Sequence, residues 1–494
     1  MAPRESPRSK ARRPASDGLL QPGLIEIIAR LLPAPQYIAT FLDAMPANLW
    51  TPALRAFMTL YRDSRMDIRL DRWPTIYLHE ANHSPEVITL LQATLPLGRR
   101  IDATFRSMGH LRHLVPPLGP ALKYMQLEIK SATWLPLDTE ALSMLLRQCT
   151  SLCGLDTTLY LPGADTPVMD ALLQALLCST APALTISHSH DQAISRAGHH
   201  LATWLLASPR TSLIFHGICS MDESGVLAFC DALQESSTLE QLRLSSVEVG
   251  GFHGRQLPAS LSKLEWAPDN ADELLPDDAI WADLRHALRR TRLEYLCCDY
   301  FGEIASEPST GPDLSQLKKL DVLRTRTGAD HVRMLAAGLS QLSSLTELYL
   351  PHIAVDAEAM RLIMEALGTS CPHLKLLELT DHALDWRSVR EVLAAAPRLP
   401  KLTCIFAPSI TECEINRCLD ELVAAGRHVE EISLPSYESG EENWALLEAL
   451  AAIPDVPFVL ASFYLRDAGP YIQAILGQEA PGASERCRLC LHYR

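Results

Sequence analysis

The chain has 494 residues, a formal net charge of −15, and 47% hydrophobic against 21% charged residues. These values describe a folded chain. They exclude a membrane-spanning helix, since no run of about 18 apolar residues occurs, and they argue against nucleic acid as a partner, since an acidic surface repels phosphate backbones.

Residues 1–16 are basic, rich in Pro and Ser, and nearly devoid of large apolar side chains, so a flexible tail is expected. Lys10, Arg12 and Arg13 fit a short nuclear address as well as a solvated tail. Residues 17–65 read as three short helices divided by prolines. Leu20, Leu24, Ile27, Ile28 and Leu31 form a stripe behind Pro22, and Pro33 and Pro35 end it. Tyr37, Ile38, Phe41 and Leu42 begin a second helix, and Leu49–Leu60 forms a third. From 66 to 150 short strands such as 73–78 and 121–127 alternate with helices that the run Val115-Pro116-Pro117 should break. Beyond 150 the alternation becomes regular. An acidic, loop-rich insertion is expected near 266–312, and its acidic run 269–283 reads as solvated.

The cleanest unit is 345–367. Leu345, Leu348, Leu350 and Ile353 take the spacing of a short strand with one buried face. Asp356 is placed to cap a helix, and Met360, Ile363, Met364 and Leu367 form its apolar stripe. Neither element can bury its face alone, so the unit must stack on copies of itself. With Leu348 as anchor, copies fall at Leu377, Ile405, Ile432 and Val459. Upstream they fall at Leu320, Leu296, Leu264, Leu242, Leu213, Leu184, Leu155, Met125, Ile101 and Ile76. A doubly wound α/β sheet would also alternate strand and helix. The strands are too short and too evenly spaced for it, and no glycine-rich phosphate loop follows any of them.

This pattern resembles the leucine-rich repeat family in its long, ribonuclease-inhibitor-like form, over roughly residues 70–494, within a solenoid domain expected at 66–494. The implied fold is α/β: a curved solenoid of short parallel strands and helices. The family's Asn or Cys after the third leucine is replaced by Ile353, His382, Ile410 and Tyr437. The helices of 17–65 resemble an F-box through Leu24-Ile25, Ile28, Leu31, Ile38, Phe41, Leu42 and Trp50, although Leu20-Gln21-Pro22-Gly23 stands where the family's opening motif belongs. F-box leucine-rich-repeat proteins imply a substrate receptor of a cullin-type ubiquitin ligase. In such a receptor Leu24, Ile28, Leu31 and Ile38 would meet the ligase adaptor and the solenoid would hold the target. The competing readings are a plain helical cap on a scaffold, inhibitor or effector without a ligase, and an enzyme.

On the strand face away from the core, Tyr295, Tyr349, Leu376, Glu378, Phe406 and Glu431 are expected to line a concave patch for an apolar, partly basic protein segment. Lys319, Asp321 and Glu347 fall beside them. Catalytic spacings are lacking. The densest group of metal-ligand types is His188, His190, Asp191, His199 and His200, and its plainer reading is a polar loop. Cys487-x-x-Cys490 with His492 has zinc spacing, but on a strand the two thiols face opposite sides. Cys297 and Cys298 are split in the same way. The 13 scattered cysteines read as small buried hydrophobes in a reducing compartment, cytoplasmic or nuclear. The expectation is therefore a non-enzymatic protein without cofactor or metal, monomeric apart from its partners.

Overall fold

The structure is a computed structural model. It describes residues 21–63, 68–69, 73–78, 83–97, 100–134, 138–162, 166–188, 196–207, 209–248, 251–267, 278–299, 301–305, 312–324, 328–351, 355–379, 386–399, 403–406, 431–433 and 459–461. The basic tail, Ile353, His382, Ile410, Tyr437 and the Cys487–His492 stretch lie outside those residues. The chain divides into two compact units, Met1–Ser187 and His188–Arg494.

The first unit opens with α1 (Pro22–Leu31), α2 (Pro35–Asp43) and α3 (Pro52–Arg62). Each begins on a proline, whose missing N–H is no loss in a first turn. The third helix starts at Pro52 rather than Leu49 because the Thr51 side chain accepts the Leu54 N–H and caps it there. Then follow β1 (Ile68–Arg69), β2 (Thr75–Leu78), α4 (Pro85–Thr94), β3 (Arg100–Phe105), α5 (Met108–Leu118), β4 (Leu122–Lys130), α6 (Ser131–Trp134), α7 (Thr139–Gln148), β5 (Gly154–Tyr160), α8 (Thr166–Leu176) and β6 (Ala183–His188). β1 is antiparallel to β2. From β2 to β5 each strand pairs parallel with the next. The expectation that Val115-Pro116-Pro117 breaks the helix is corrected. Both prolines lie inside α5. They sit in its last turn, where each forfeits one N–H bond to the preceding turn but no further helix follows to be kinked, and the Gly119 N–H still closes the helix on the Val115 carbonyl.

The second unit contains α9 (Ala197–Ala207), β7 (Ser212–Ser220), α10 (Glu223–Glu235), β8 (Gln241–Glu248), β9 (Lys263–Ala267), α11 (Asp278–Leu288), β10 (Tyr295–Cys298), α12 (Phe301–Ala305), β11 (Lys319–Val322), α13 (Ala329–Leu339), β12 (Glu347–Tyr349), α14 (Ala357–Ser370), β13 (Leu376–Leu379), α15 (Trp386–Ala395), β14 (Thr403–Phe406), β15 (Glu431–Ser433) and β16 (Val459–Ala461). Strands β7 to β16 lie side by side in sequence order, all parallel.

One backbone joint recurs from β7 to β13. The last residue before each strand and the strand's first residue both donate to the carbonyl of the equivalent residue one strand earlier. Thr211 accepts from Glu240 and Gln241, Glu240 from Ser262 and Lys263, and Ser262 from Glu294 and Tyr295. Glu294 then accepts from Lys318 and Lys319, Lys318 from Thr346 and Glu347, and Thr346 from Lys375 and Leu376. Repetition of the leucines produces it, because each buried triplet sets the next strand in the same register. Leu239/Leu242/Leu244, Leu261/Leu264/Trp266, Leu293/Leu296/Cys298, Leu317/Leu320/Val322, Leu345/Leu348/Leu350 and Leu374/Leu377/Leu379 are all buried. Each fully buried Leu contributes roughly 1.5–3 kcal/mol over an exposed one. On the helix side, Met360, Ile363, Met364 and Leu367 of α14 are buried, and Asp356 accepts the Ala359 N–H at 2.8 Å.

In the described part of 266–312, α11, β10 and α12 account for most residues, with Trp281 and Leu284 buried; 268–277 and 306–311, where the acidic run and the second loop were expected, lie outside the described residues. Irregular backbone at 251–262 stands between β8 and β9. There Phe252, Leu257 and Leu261 are buried, and the Asp283 carboxylate of α11 accepts N–H groups from Phe252 and, at 2.6 Å, from Gly254. The anchors of the last strands also shift by one residue. Cys404, not Ile405, pairs with Leu377 and Ile432, and Leu460, not Val459, pairs with Ile432.

Candidate protein-binding surface

In a strand, alternate side chains leave the sheet on opposite faces. From β9 to β13 one set of positions is buried against the helices and the other stays half-exposed, apart from Lys263, which is exposed, and Cys297, which is buried. Two rows run across this open face in register. The first is Lys263, Tyr295, Lys319, Glu347, Leu376; the second is Glu265, Cys297, Asp321, Tyr349, Glu378. Adjacent positions in a row are about 4.8 Å apart.

Tyr295, Tyr349, Leu376 and Glu378 therefore occupy the open face. Thr403 continues the first row and pairs with Glu431, so the register carries Glu431 into that row as well. Phe406 does not belong there: it pairs with Leu379, a buried position, while Ile405 pairs with Glu378. A slip of one residue exchanges the two faces of a strand. In Thr403-Cys404-Ile405-Phe406 the larger Ile drew the anchor away from Cys404.

The open face is not neutral. The Lys319 Nζ stands 5.5 Å from the ring centre of Tyr295 and 4.3 Å from that of Tyr349, and 3.5 Å from a Glu347 carboxylate oxygen. The Tyr349 hydroxyl donates to Glu347 Oε2 at 3.1 Å. From β8, the Arg243 guanidinium carbon lies 5.6 Å from the ring centre of Tyr295, and Arg243 lies 3.5 Å from Glu265, which also accepts from the Ser245 hydroxyl at 2.7 Å. The Asp321 carboxyl is pushed up to about 6 by burial and by the charges of Glu265 and Glu378, against the opposing pull of Lys319. Its Oδ1 is buried without a hydrogen-bond partner. The Glu378 carboxyl is raised by burial as well, with Lys319 again opposing.

The N-terminal helices form a second candidate surface. α3 packs on α4, and Phe57 meets Trp73 edge-on with ring centres 5.2 Å apart, so this helix covers the start of the first unit. α1 buries Ile25 and Ala29 on one side. Its other side leaves Leu24, Ile27 and Leu31 exposed, at 42%, 54% and 73%, with Ile28 half-buried. Tyr37 at the start of α2 is 56% exposed. Of the four expected adaptor contacts, Ile38 is the exception: it is fully buried. The second helix turns Ile38 and Leu42 inward together, as their i, i+4 spacing demands.

The sequence's metal candidates do not converge among the described residues, where no group of three or more His, Cys, Asp or Glu could hold an ion. His188 ends β6; His199 lies on α9, where its Nε2 meets the Ser224 hydroxyl at 3.0 Å. His190 and Asp191 lie outside the described residues. Cys297 and Cys298 fall in the open-face and core rows, and burial raises both thiols. No helix among the described residues is long and apolar enough to cross a membrane. No protein-family model matches the chain, and a search of the curated proteins finds no match.

Proposed function

We propose that the chain is a non-enzymatic interaction protein: a leucine-rich-repeat solenoid with an F-box-like N-terminus, serving as the substrate-recognition subunit of a cullin-type ubiquitin ligase in the cytoplasm or nucleus. The observation that carries this reading is the bare apolar side of α1. Leu24, Ile27 and Leu31 stand exposed at i, i+3 and i+7 while the opposite side of the same helix is packed. A helix needed only as a cap has no use for a second apolar side, and α3 already packs on the first repeat. Exposed apolar stripes of this kind mark protein contacts. In support, the half-exposed tyrosines and carboxylates of the parallel strands offer a separate surface for a target.

The test is co-expression of the full chain with a cullin-ligase adaptor, followed by affinity purification. The adaptor is expected to co-purify, and the exposed double variant Leu24→Ala/Leu31→Ala is expected to lower its recovery at least about tenfold with unchanged circular dichroism. If no adaptor is retained by the folded chain, the ligase assignment is withdrawn and a scaffold or inhibitor that binds its partner directly remains.

A further inference from the structure

The Lys319 ammonium lies between two tyrosine rings and beside a carboxylate, which is the environment that proteins use to recognise cationic groups of other molecules. Three carboxylates draw on this one cation. Glu347 contacts it, and it is the cation that bears on both Asp321 and Glu378. Arg243 also borders the Tyr295 ring, at 5.6 Å from its centre, but its charge is matched by Glu265 at 3.5 Å. In register, Asp321, Tyr349 and Glu378 sit side by side on β11, β12 and β13, a ring flanked by two carboxylates. Asp321 keeps one oxygen buried and unpartnered. The cage thus carries more negative charge than its resident lysine neutralises, and Leu376 adds a half-buried aliphatic contact at its edge.

We infer that the cage formed by Tyr295, Tyr349 and Glu347, extended by Asp321 and Glu378, is a seat for an arginine or lysine side chain on an extended segment of a partner protein, and that Lys319 is an internal stand-in which the partner's cation displaces. The occupant follows from charge complementarity: a guanidinium or ammonium supplies the charge that Asp321 and Glu378 lack, and the ring faces reward either cation. Lys319 can leave without unfolding anything, because its ammonium reaches the cage on a flexible stem. This inference rests on reading the open strand face as a protein-binding surface and names the chemistry it selects.

The experiment uses the full chain and a fluorescent heptapeptide of alternating leucine and arginine, with lysine and citrulline counterparts, titrated by anisotropy at physiological salt. The arginine and lysine peptides are expected to bind at least about tenfold tighter than the neutral citrulline peptide. Asp321→Asn/Glu378→Gln is expected to lose that preference. Lys319→Met, which keeps the stem and removes the competing charge, is expected to tighten binding of the cationic peptides several-fold. A charge-matched control on the outer side of α14, Glu358→Gln/Glu365→Gln, should leave binding unchanged, which separates the cage from the general pull of an acidic chain. Weaker or unaltered binding by folded Lys319→Met overturns the inference, as does equal binding of the citrulline peptide. Adaptor recovery with the same variants is independent of this readout, so loss of the cage and loss of the ligase assignment are told apart.

Discussion

Asp299 follows β10 with a side chain only 2% exposed and with Oδ1 lacking a hydrogen-bond partner. Burial lifts its carboxyl from 3.8 to about 6, against the opposing charge of Arg324. The folded chain therefore holds this proton more tightly than the unfolded chain does. The sign is fixed by that difference: the residue's contribution to stability is greatest below about pH 4 and is lost as pH rises through about 6. Replacing Asp299 by Asn removes the charge and keeps the shape. Urea denaturation is expected to find the variant more stable than the parent by roughly 1–3 kcal/mol at pH 7 and equal to it near pH 4. A parent more stable at both pH values would show that Asp299 holds a favourable ion pair with Arg324. Nothing in the sequence around Asp299 announced this burial, because a lone Asp after a strand is most often a turn residue.

At the level of single elements the sequence was most informative where helix and strand both obey their periods. Met360, Ile363, Met364 and Leu367 repeat at helical spacing, and all four are buried. It was least informative where composition pointed elsewhere. The acidic run 269–283 has the look of a solvated loop, yet Asp283 lies on α11 and accepts backbone N–H groups of the segment that replaces a helix between β8 and β9. The dihedral φ of 50° at His253 and the positive φ of Gly251 and Gly254 give that segment the turn that aims its amides at one carboxylate. Asp283→Ala leaves the N–H of buried Phe252 without its acceptor, while the N–H of exposed Gly254 can turn to water. The variant is expected to destabilise the second unit by about 1–2 kcal/mol, with Asp283→Asn intermediate, as read from denaturant midpoints. No change in either variant would mean that water satisfies the segment. The candidate surface was legible to the same extent as the strand parity: Tyr295, Tyr349, Leu376 and Glu378 fall on the open face, whereas Phe406 enters the core row because Ile405 and Phe406 are both apolar and local pattern cannot choose between them. The cage itself was hidden, since Lys319 reaches Tyr349 only when β11 and β12 pair in register.

Across the molecule, cysteines provide reporters in both units. Cys149 in the first unit and Cys230 and Cys371 in the second are buried, and burial lifts each thiol to about 12. Cys153 is exposed. In native buffer a thiol reagent followed by peptide mass spectrometry is expected to label Cys153 at least about a hundredfold faster than these three, because Cys153 is accessible while burial both shields the other three and suppresses their thiolates. Comparable rates at Cys371 and Cys153 would place the α14 end of the second unit in an open state for much of the time. The joints that carry the second unit from Thr211 to Lys375 each consist of two main-chain bonds, with the Ser262 and Thr346 hydroxyls adding a third at Glu240 and Lys318, so their pattern does not depend on which side chains sit beside them. A lineage that duplicates or drops one whole period hands the flanking strands the same joint once more. Such a gene can grow or shrink in steps of a single strand and helix, and vary the open strand face at will, while the rule by which each strand finds its predecessor is inherited intact.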